Sequence, residues 1–262
     1  MVSTFVIKQA WIIVAFAAIF TFEHLAPFYR RRGTLWPHDL RNLVVGIINV
    51  GITTLLFSSL TVYLAERFSG TQVGLLRAID LPRGIEVAIA IVSLDLYIYW
   101  WHRLNHRVGF LWLFHRVHHS DPGVDVSSSY RFHIVEVGLS LVGRLAFITL
   151  LGIDAFPVFL FEMIFSPIVY FHHSNIRISE KADRFIRVLF PSPHMHRVHH
   201  SVKPKETDSN YGSVFSLWDR LFRSFRLIND PRLIKQGLNE FTDASHHTII
   251  GMLKTPFLRL PL

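Results

Sequence analysis

The chain contains no cysteine among its 262 residues. Disulfides, thiolate-ligated haem and cysteine-held iron–sulfur clusters are therefore excluded. Charge is scarce as well: Asp, Glu, Lys and Arg together make up 18% of the residues, against about 25% in an average soluble domain. No H-E-x-x-H occurs, so the two ligands and general base of a zinc peptidase are missing. There is no repeat of solenoid period, no low-complexity tract and no dinucleotide fingerprint after a strand. What is present is apolar. Half of the residues are hydrophobic, 23 are phenylalanine, and the mean hydropathy is +0.33. This balance points to an all-α integral membrane helical bundle of four or five membrane helices in two hairpins.

The apolar runs locate the spans. Residues 43–65 carry no formal charge over 23 positions, enough for roughly 30–35 Å of helix and so for a bilayer core. Residues 5–22 are interrupted only by Lys8 and Gln9, close enough to one end for Lys8 to snorkel. That stretch lacks a basic start and an A-x-A site, so it reads as a retained helix. A third span covers 84–101, with Glu86 near its entry and Asp95 inside. The region 134–171 is apolar but broken near Gly152, Ile153 and Asp154, which suggests a tight, even re-entrant, hairpin.

Threading the spans alternately puts Arg30, Arg31, Arg32 and Arg41, then Arg103, Arg107, Arg116 and Arg131, then the basic stretch after Asn175 on one face. The other face receives Arg67, Arg77 and Arg83, partly balanced by Glu66 and Asp80. The positive-inside rule assigns the first face to the cytoplasm, of a bacterial inner membrane or an endoplasmic reticulum. The net charge of +8 divides as +2 over residues 1–101 and +6 over 102–262. Topology and anionic headgroups account for it, and a nucleic-acid partner is not expected. Residues 202–209, with Pro204 and four charges, read as a solvent loop.

Histidine is the second anomaly, with 12 of 16 between His102 and His200. They form an H-x-x-x-H (His102, His106) and two H-x-x-H-H copies (His115, His118, His119 and His196, His199, His200). The copies belong to a six-residue echo, H-R-V-H-H-S, about eighty positions apart. His133, His172 and His173 lie between the copies. On a helix, positions i and i+4 share a face, so His102 with His106, His115 with His119, and His196 with His200 can converge. Neighbours such as His118 and His119 diverge by about 100°. The clusters therefore fit two metals better than one. Imidazole alone suits zinc, copper, iron or nickel. A histidine-rich membrane metal transporter or metal-binding protein is the competing class, but it would want ligands near the midplane. His24, His38, His246 and His247 read as ordinary interfacial residues.

The ordered set D-L-Y-I-Y-W-W-H-R-L-N-H (95–106), L-F-H-R-V-H-H-S-D (113–121), R-F-H-I-V-E (131–136), F-H-H-S-N-I (171–176) and P-H-M-H-R-V-H-H-S (193–201), followed by D-S-N-Y-G (208–212) and W-D-R-L-F (218–222), resembles the fatty acid hydroxylase / sterol desaturase superfamily. The resemblance spans residues 95–222. It implies a catalytic core over 95–225 that includes the membrane hairpin 134–171, preceded by membrane helices over 1–94 and followed by a C-terminal cytoplasmic tail over 226–262. It also implies a cytoplasmic histidine-rich helical cap holding a di-iron centre, with O₂ as co-substrate and a lipid (sterol, fatty acyl, ether lipid or carotenoid) as the molecule hydroxylated or desaturated. Zinc could substitute for iron.

Carried over by motif, the implied metal ligands are His102, His106, His115, His118, His119, His173, His196, His199 and His200. His133 stands at a recurring family position, as a tenth ligand or a group behind one, while His172 and His194 are bystanders. The chain departs from the family pattern at Ile134, where proline is common, and at Arg223 and Ser224, where glycine and threonine often follow. Two roles are open to Asp95, seven residues before His102: an acceptor that sets a ligand's tautomer, or the partner of an intramembrane cation. Asn175 can complete a metal or water contact, or cap a helix. Glu136 and Arg144, eight apart, are expected to pair. With no fused electron-transfer domain and no cysteine, electrons are expected from a separate reductase with a ferredoxin or cytochrome, docking on the basic face.

Overall fold

The apolar runs are helices in the computed structural model, which describes residues 2–30, 36–68 and 74–258, with backbone alone for 2–5 and 57–68. In chain order the first helices are α1 (Val2–Leu25), α2 (Trp36–Phe68), α3 (Arg83–Arg107), α4 (Gly109–His119), α5 (Ile134–Leu151) and α6 (Ala155–His173). All but the eleven-residue α4 are long and apolar enough to cross a membrane. Residues 134–171 thus fall in two helices, each long enough for a full crossing. Arg31 and Arg32, and the side chains of Glu66 and Arg67, lie outside the described residues.

The five long helices share one polar end. The chain after α1 pairs with the chain after α6 at Pro27 and Ile176. α2 starts beside Asp121, which accepts from His38 at 2.8 Å. α3 ends at His106 and Arg107, α5 starts after His133, and α6 ends at His173. At the opposite end Gly152, at φ +72°, caps α5 and turns the chain into α6. Gly74, at φ +122°, lies so close to this turn that a Cβ on it would sit 2.3 Å from the Gly152 Cα. Leu75 and Leu76 donate to the carbonyls of Leu150 and Leu151 there. Arg77 and Arg83 on this side pair with Asp154, and Arg83 also with Glu86.

Within the bundle α6 packs on α1 and α3, while α5 packs on α2, α3 and α4. Pro167 sits inside α6 and leaves the carbonyl four residues back without its helical donor. The Trp11 indole of α1 donates to that carbonyl, of Met163, at 2.9 Å. In hydrocarbon no water could do so. The adjacent Glu162 bridges Lys8 at 2.7 Å and Arg144 at 3.2 Å. Lys8 therefore binds a carboxylate instead of snorkelling, and Arg144 pairs with Glu162 instead of Glu136. Both intramembrane cations find the nearest anion facing them across helices, which spacing within one helix cannot reveal.

Past α6 the helices are short: α7 (Glu180–Ile186), α8 (Pro193–His199), α9 (Pro204–Thr207), α10 (Leu217–Leu221) and α11 (Ile249–Lys254). Among the described residues there is no strand beyond two isolated bridges. The stretch 226–258 is no free tail. It folds back, burying Phe241, Met252 and Thr255, and Ser201 pairs with Gln236.

Candidate metal centre

Both H-R-V-H-H-S copies are helical, in α4 and α8, and both are buried. Pro193 starts α8 behind Ser192, whose hydroxyl accepts from the Met195 amide, a favoured N-terminus. In each copy the arginine points away from the histidines and clamps backbone carbonyls of a neighbouring segment. Arg116 donates to Thr255 and Leu258 at 2.6 and 3.0 Å, and Arg197 to Ile176 and Ser174 at 2.8 and 3.3 Å. Arg197 also lies 4.0 Å over the Phe28 ring. Burial lowers its pKa to about 10, still charged at neutral pH.

The histidines form two groups. Ring nitrogens of His102, His106, His115, His119 and His199 lie within 4.8 Å of one another, and those of His118, His173, His196 and His200 do the same. Each i, i+4 pair stays in one group. Adjacent residues split: the rings of His118 and His119 stand at 86° to each other, and those of His199 and His200 at 89°. In the second group Nε2 of His173 faces Nε2 of His118 at 3.3 Å, and that of His200 faces that of His196 at 3.0 Å. Two imidazole nitrogens bound at ~2.0–2.1 Å to one ion are separated by about this much.

All five members of the first group have a buried ring nitrogen with no hydrogen-bond partner, for example Nε2 of His102, His115 and His199. An unsatisfied buried polar atom costs about 1–3 kcal/mol, so five cost roughly as much as a whole domain's stability. Such an arrangement calls for a cation. The donor set fits a borderline metal such as iron.

Tautomers are fixed from behind. Nδ1 of His102, His173 and His199 donates to the carbonyls of Tyr211, Val169 and Ser209 at 3.0, 2.8 and 2.7 Å. Nδ1 of His115 donates to Glu136 at 2.7 Å, and Asn105 donates to the same carboxylate oxygen at 3.1 Å. A carbonyl or carboxylate can only accept, so in these four rings Nε2 carries the free lone pair. Burial, then the neighbouring imidazoles, hold His118, His119, His196 and His200 well below the usual 6.5, and burial does the same for His199. These rings are neutral at pH 7. The 202–209 segment is only partly a solvent loop, because its last residue supplies the acceptor for His199.

The two helical copies are related by a local two-fold exchange. His115, His118 and His119 fall in the first, second and first group, while His196, His199 and His200 fall in the second, first and second. The cross-contacts match: ring centroids of His118 and His200 are 4.6 Å apart, as are those of His119 and His199. His119 and His200 stack at the centre, 4.5 Å apart. The six-residue echo is thus one helical unit used twice. α3 adds His102 and His106 to one side, and α6 adds His173 to the other.

Several expected site residues lie elsewhere. His133 belongs to neither group: its Nδ1 accepts from the Val135 amide and caps α5, and its Nε2 is 3.3 Å from the Leu253 carbonyl. Asp95 meets neither a histidine nor a cation. It accepts from the Val214 and Phe215 amides and from the Trp218 indole at 2.9, 3.0 and 2.7 Å, and so holds the loop that carries Tyr211 against α3. Asn175 does not face the histidines; its amide grips both backbone groups of Tyr29 at 2.9 and 3.0 Å, and Ser174 ends α6. His172 is buried 4.3 Å from the His196 ring, and His194 is 3.1 Å from the Ile228 carbonyl. Among the described residues there are two more acid–histidine groups, His38 with Asp39 and Asp125, and Glu180 with Asp183 and His194. In the latter, Arg187 already binds both carboxylates.

The histidines lie toward the ends of α3 and α6 and in α4 and α8 beyond them, where a transport path would need them near mid-membrane. A family profile, fatty acid hydroxylase, matches residues 87–224, a stretch that includes both groups. The chain belongs to the fatty acid hydroxylase family. Similar members include an ornithine lipid hydroxylase of Rhizobium tropici, 31% identical over 68% of this chain and 52% of its own. An alkylglycerol monooxygenase of Caenorhabditis elegans is 32% identical over 56% of this chain and 29% of its own. A human lathosterol oxidase is 29% identical over 56% and 48%. The matches thus span about half or less of these relatives' lengths. No solved structure matches.

Both departures from the family pattern have a structural reading. Ile134 is the first residue of α5, where proline is favoured but not required. Arg223 adopts φ +59°, the region where glycine is at ease. Ser224 keeps a hydroxyl that bonds Asp219 at 2.7 Å and Tyr99 at 2.8 Å.

Proposed function

We propose that this chain is a membrane-bound oxygenase that hydroxylates or desaturates a C–H position of a lipid. The observation that carries it is the pair of histidine groups, five and four: every ring of the first has a buried nitrogen without a partner, and in the second the Nε2 atoms face one another. In this reading His102, His106, His115, His119 and His199 hold one iron, and His118, His173, His196 and His200 hold the other. The irons supply O₂ activation. For hydroxylation, one oxygen atom enters the C–H bond and the other leaves as water, with two electrons and two protons taken up. The neutral imidazoles add no charge to offset the metals, which keeps the centre electrophilic. Glu136 and the three carbonyls orient the rings, and the apolar helices hold the lipid chain and exclude water.

The relatives are named for an ornithine lipid, an alkylglycerol and a sterol. Their shared feature, a long apolar body, is what this bundle suits. Electrons come from a separate acidic donor docking on the basic face, and the excess of Arg and Lys there supports a cytoplasmic side.

Metal analysis of the purified protein, paired with lipid profiling of cells with and without the gene, tests the proposal. Two irons per chain and one oxidised lipid product are expected. A stoichiometric metal with no oxidised lipid, with reductant and O₂ supplied, overturns it.

A further inference from the structure

The histidine-bearing side carries a large apolar surface that the metal centre does not use. Phe185, Val188, Leu217 and Leu221 are 83, 61, 46 and 66% exposed, and Leu189 is exposed beside them. They come from two stretches, 185–190 and 213–222, joined by the Ser216 amide on the Leu189 carbonyl at 2.9 Å and by Arg220 on the Arg187 carbonyl at 2.5 Å. Phe190 stacks on Phe215.

Depth along α3 decides what covers this surface. Asp95, which holds Val214, Phe215 and Trp218, is twelve residues from either end of α3. It lies seven residues before His102, about 10 Å toward mid-membrane. Val214 is buried with Leu94 of α3 and Phe161 of α6, and Phe215 packs against the same cluster. Higher up, Phe222 stacks on Tyr99 at 5.3 Å and accepts from Arg103. Both stretches therefore leave the histidine level, descend along the membrane part of the bundle, and return.

Non-helical backbone at that depth must have its polar groups satisfied by protein, and here it does. Asp95 takes two amides, Asp219 takes those of Tyr211 and Gly212 at 2.7 and 2.9 Å, and the Asp219 carbonyl takes those of Ser224 and Phe225. Two buried carboxylates serving backbone amides have little purpose in a loop that water could solvate. Arg184, Arg220 and Arg223 are exposed beside the apolar residues, a mixture that suits an interfacial element.

We infer that residues 185–190 and 213–222 form a re-entrant lip seated among the acyl chains of the leaflet on the histidine side. Its occupant is the lipid itself, continuous with that around the five crossing helices. Tyr211, at the root of the lip, has its ring 5.6, 5.1 and 5.8 Å from those of His102, His106 and His199. The lip thus adjoins the metal centre from within the membrane. The inference rests on the membrane reading alone and stands whether or not the oxygenase proposal does.

The absence of cysteine makes the test direct. Phe185→Cys, Leu217→Cys and Leu221→Cys, with Lys203→Cys as the solvent control, each accept a single nitroxide label at an exposed position. The full-length protein is reconstituted in vesicles of phosphatidylcholine with phosphatidylglycerol, and the relaxing effects of O₂ and a water-soluble nickel chelate are compared. A severalfold higher oxygen-to-nickel ratio at the three lip positions than at Lys203→Cys supports the lip. Nickel access equal to the control overturns it, as does protection from both reagents, which would mean a protein covers the surface. Labelling by a charged maleimide gives a second measurement: the lip cysteines should react in detergent and resist in intact vesicles open to the histidine side. Equal reactivity in both overturns the inference.

Discussion

An imidazole ring can present either nitrogen to a metal, and what chooses is the group behind it. For three rings that group is a backbone carbonyl, of Tyr211, Val169 or Ser209. For His115 it is a carboxylate at 2.7 Å, and His106 has the Asp208 carboxylate 3.4 Å from its Nδ1. Glu136 therefore adds negative charge to the five-histidine group and none to the other. Glu136→Gln keeps the shape but removes the charge. Metal in the five-histidine group should be retained about 10–100-fold less tightly, read as metal left per chain against a chelator, with the four-histidine group keeping its share. His199→Ala and His200→Ala should each abolish turnover, the first emptying the five-histidine group and the second the other, while both proteins still insert in the membrane. Metal stoichiometry and fractionation check this. Six of the nine grouped histidines are legible because i, i+4 spacing carries direction, while His118, His173 and His199 came with the family motifs that the chain resembles. Their carbonyl acceptors were not, since a backbone oxygen looks the same at every position. Glu136 was visible in R-F-H-I-V-E but was matched to Arg144, the nearest cation on its own helix, because the sequence does not show that His115 faces it.

At the scale of elements, buried carboxylates and glycines hold the joints. Removing the three acceptor contacts of Asp95 strands two amides and an indole. Asp95→Ala should cost on the order of 3–5 kcal/mol, seen as earlier thermal unfolding in detergent, with Asp95→Asn intermediate because one acceptor remains. Gly74→Ala should also destabilise, as its new methyl would meet the Gly152 backbone in a conformation that L-residues avoid. The long helices could be read from apolar runs and their hairpin from Gly152 to Asp154. The descending stretches 185–190 and 213–222 could not. Each is too short to register as a span, and arginines interrupt both, so the basic count alone placed everything after Asn175 outside the membrane.

For the molecule as a whole, neutrality of the histidine core sets a pH window. His118, His119, His196, His199 and His200 titrate well below 6.5 when folded and near 6.5 when unfolded. Below about 6.5 the unfolded chain binds protons that the folded chain refuses. The metal-free protein should therefore be most stable above that pH and lose stability steadily as pH falls from 6.5 toward 5, as followed by thermal unfolding. Bound metal should raise the melting temperature at every pH in that range, least at the acid end, where protons compete for the same nitrogens.

The two-fold exchange between α4 and α8 also bears on how the protein is made. Each group draws on both copies, so neither is complete until α8 has emerged, after all five crossing helices. A nascent chain ending before Pro193 holds at most His102, His106, His115 and His119 on one side, and His118 and His173 on the other. Completion of either group thereby waits for α8. A chain that has inserted α5 without α6 leaves His173 on the opposite side and cannot close the second group. Each group is thus complete only in a chain whose α4 and α8 have come together.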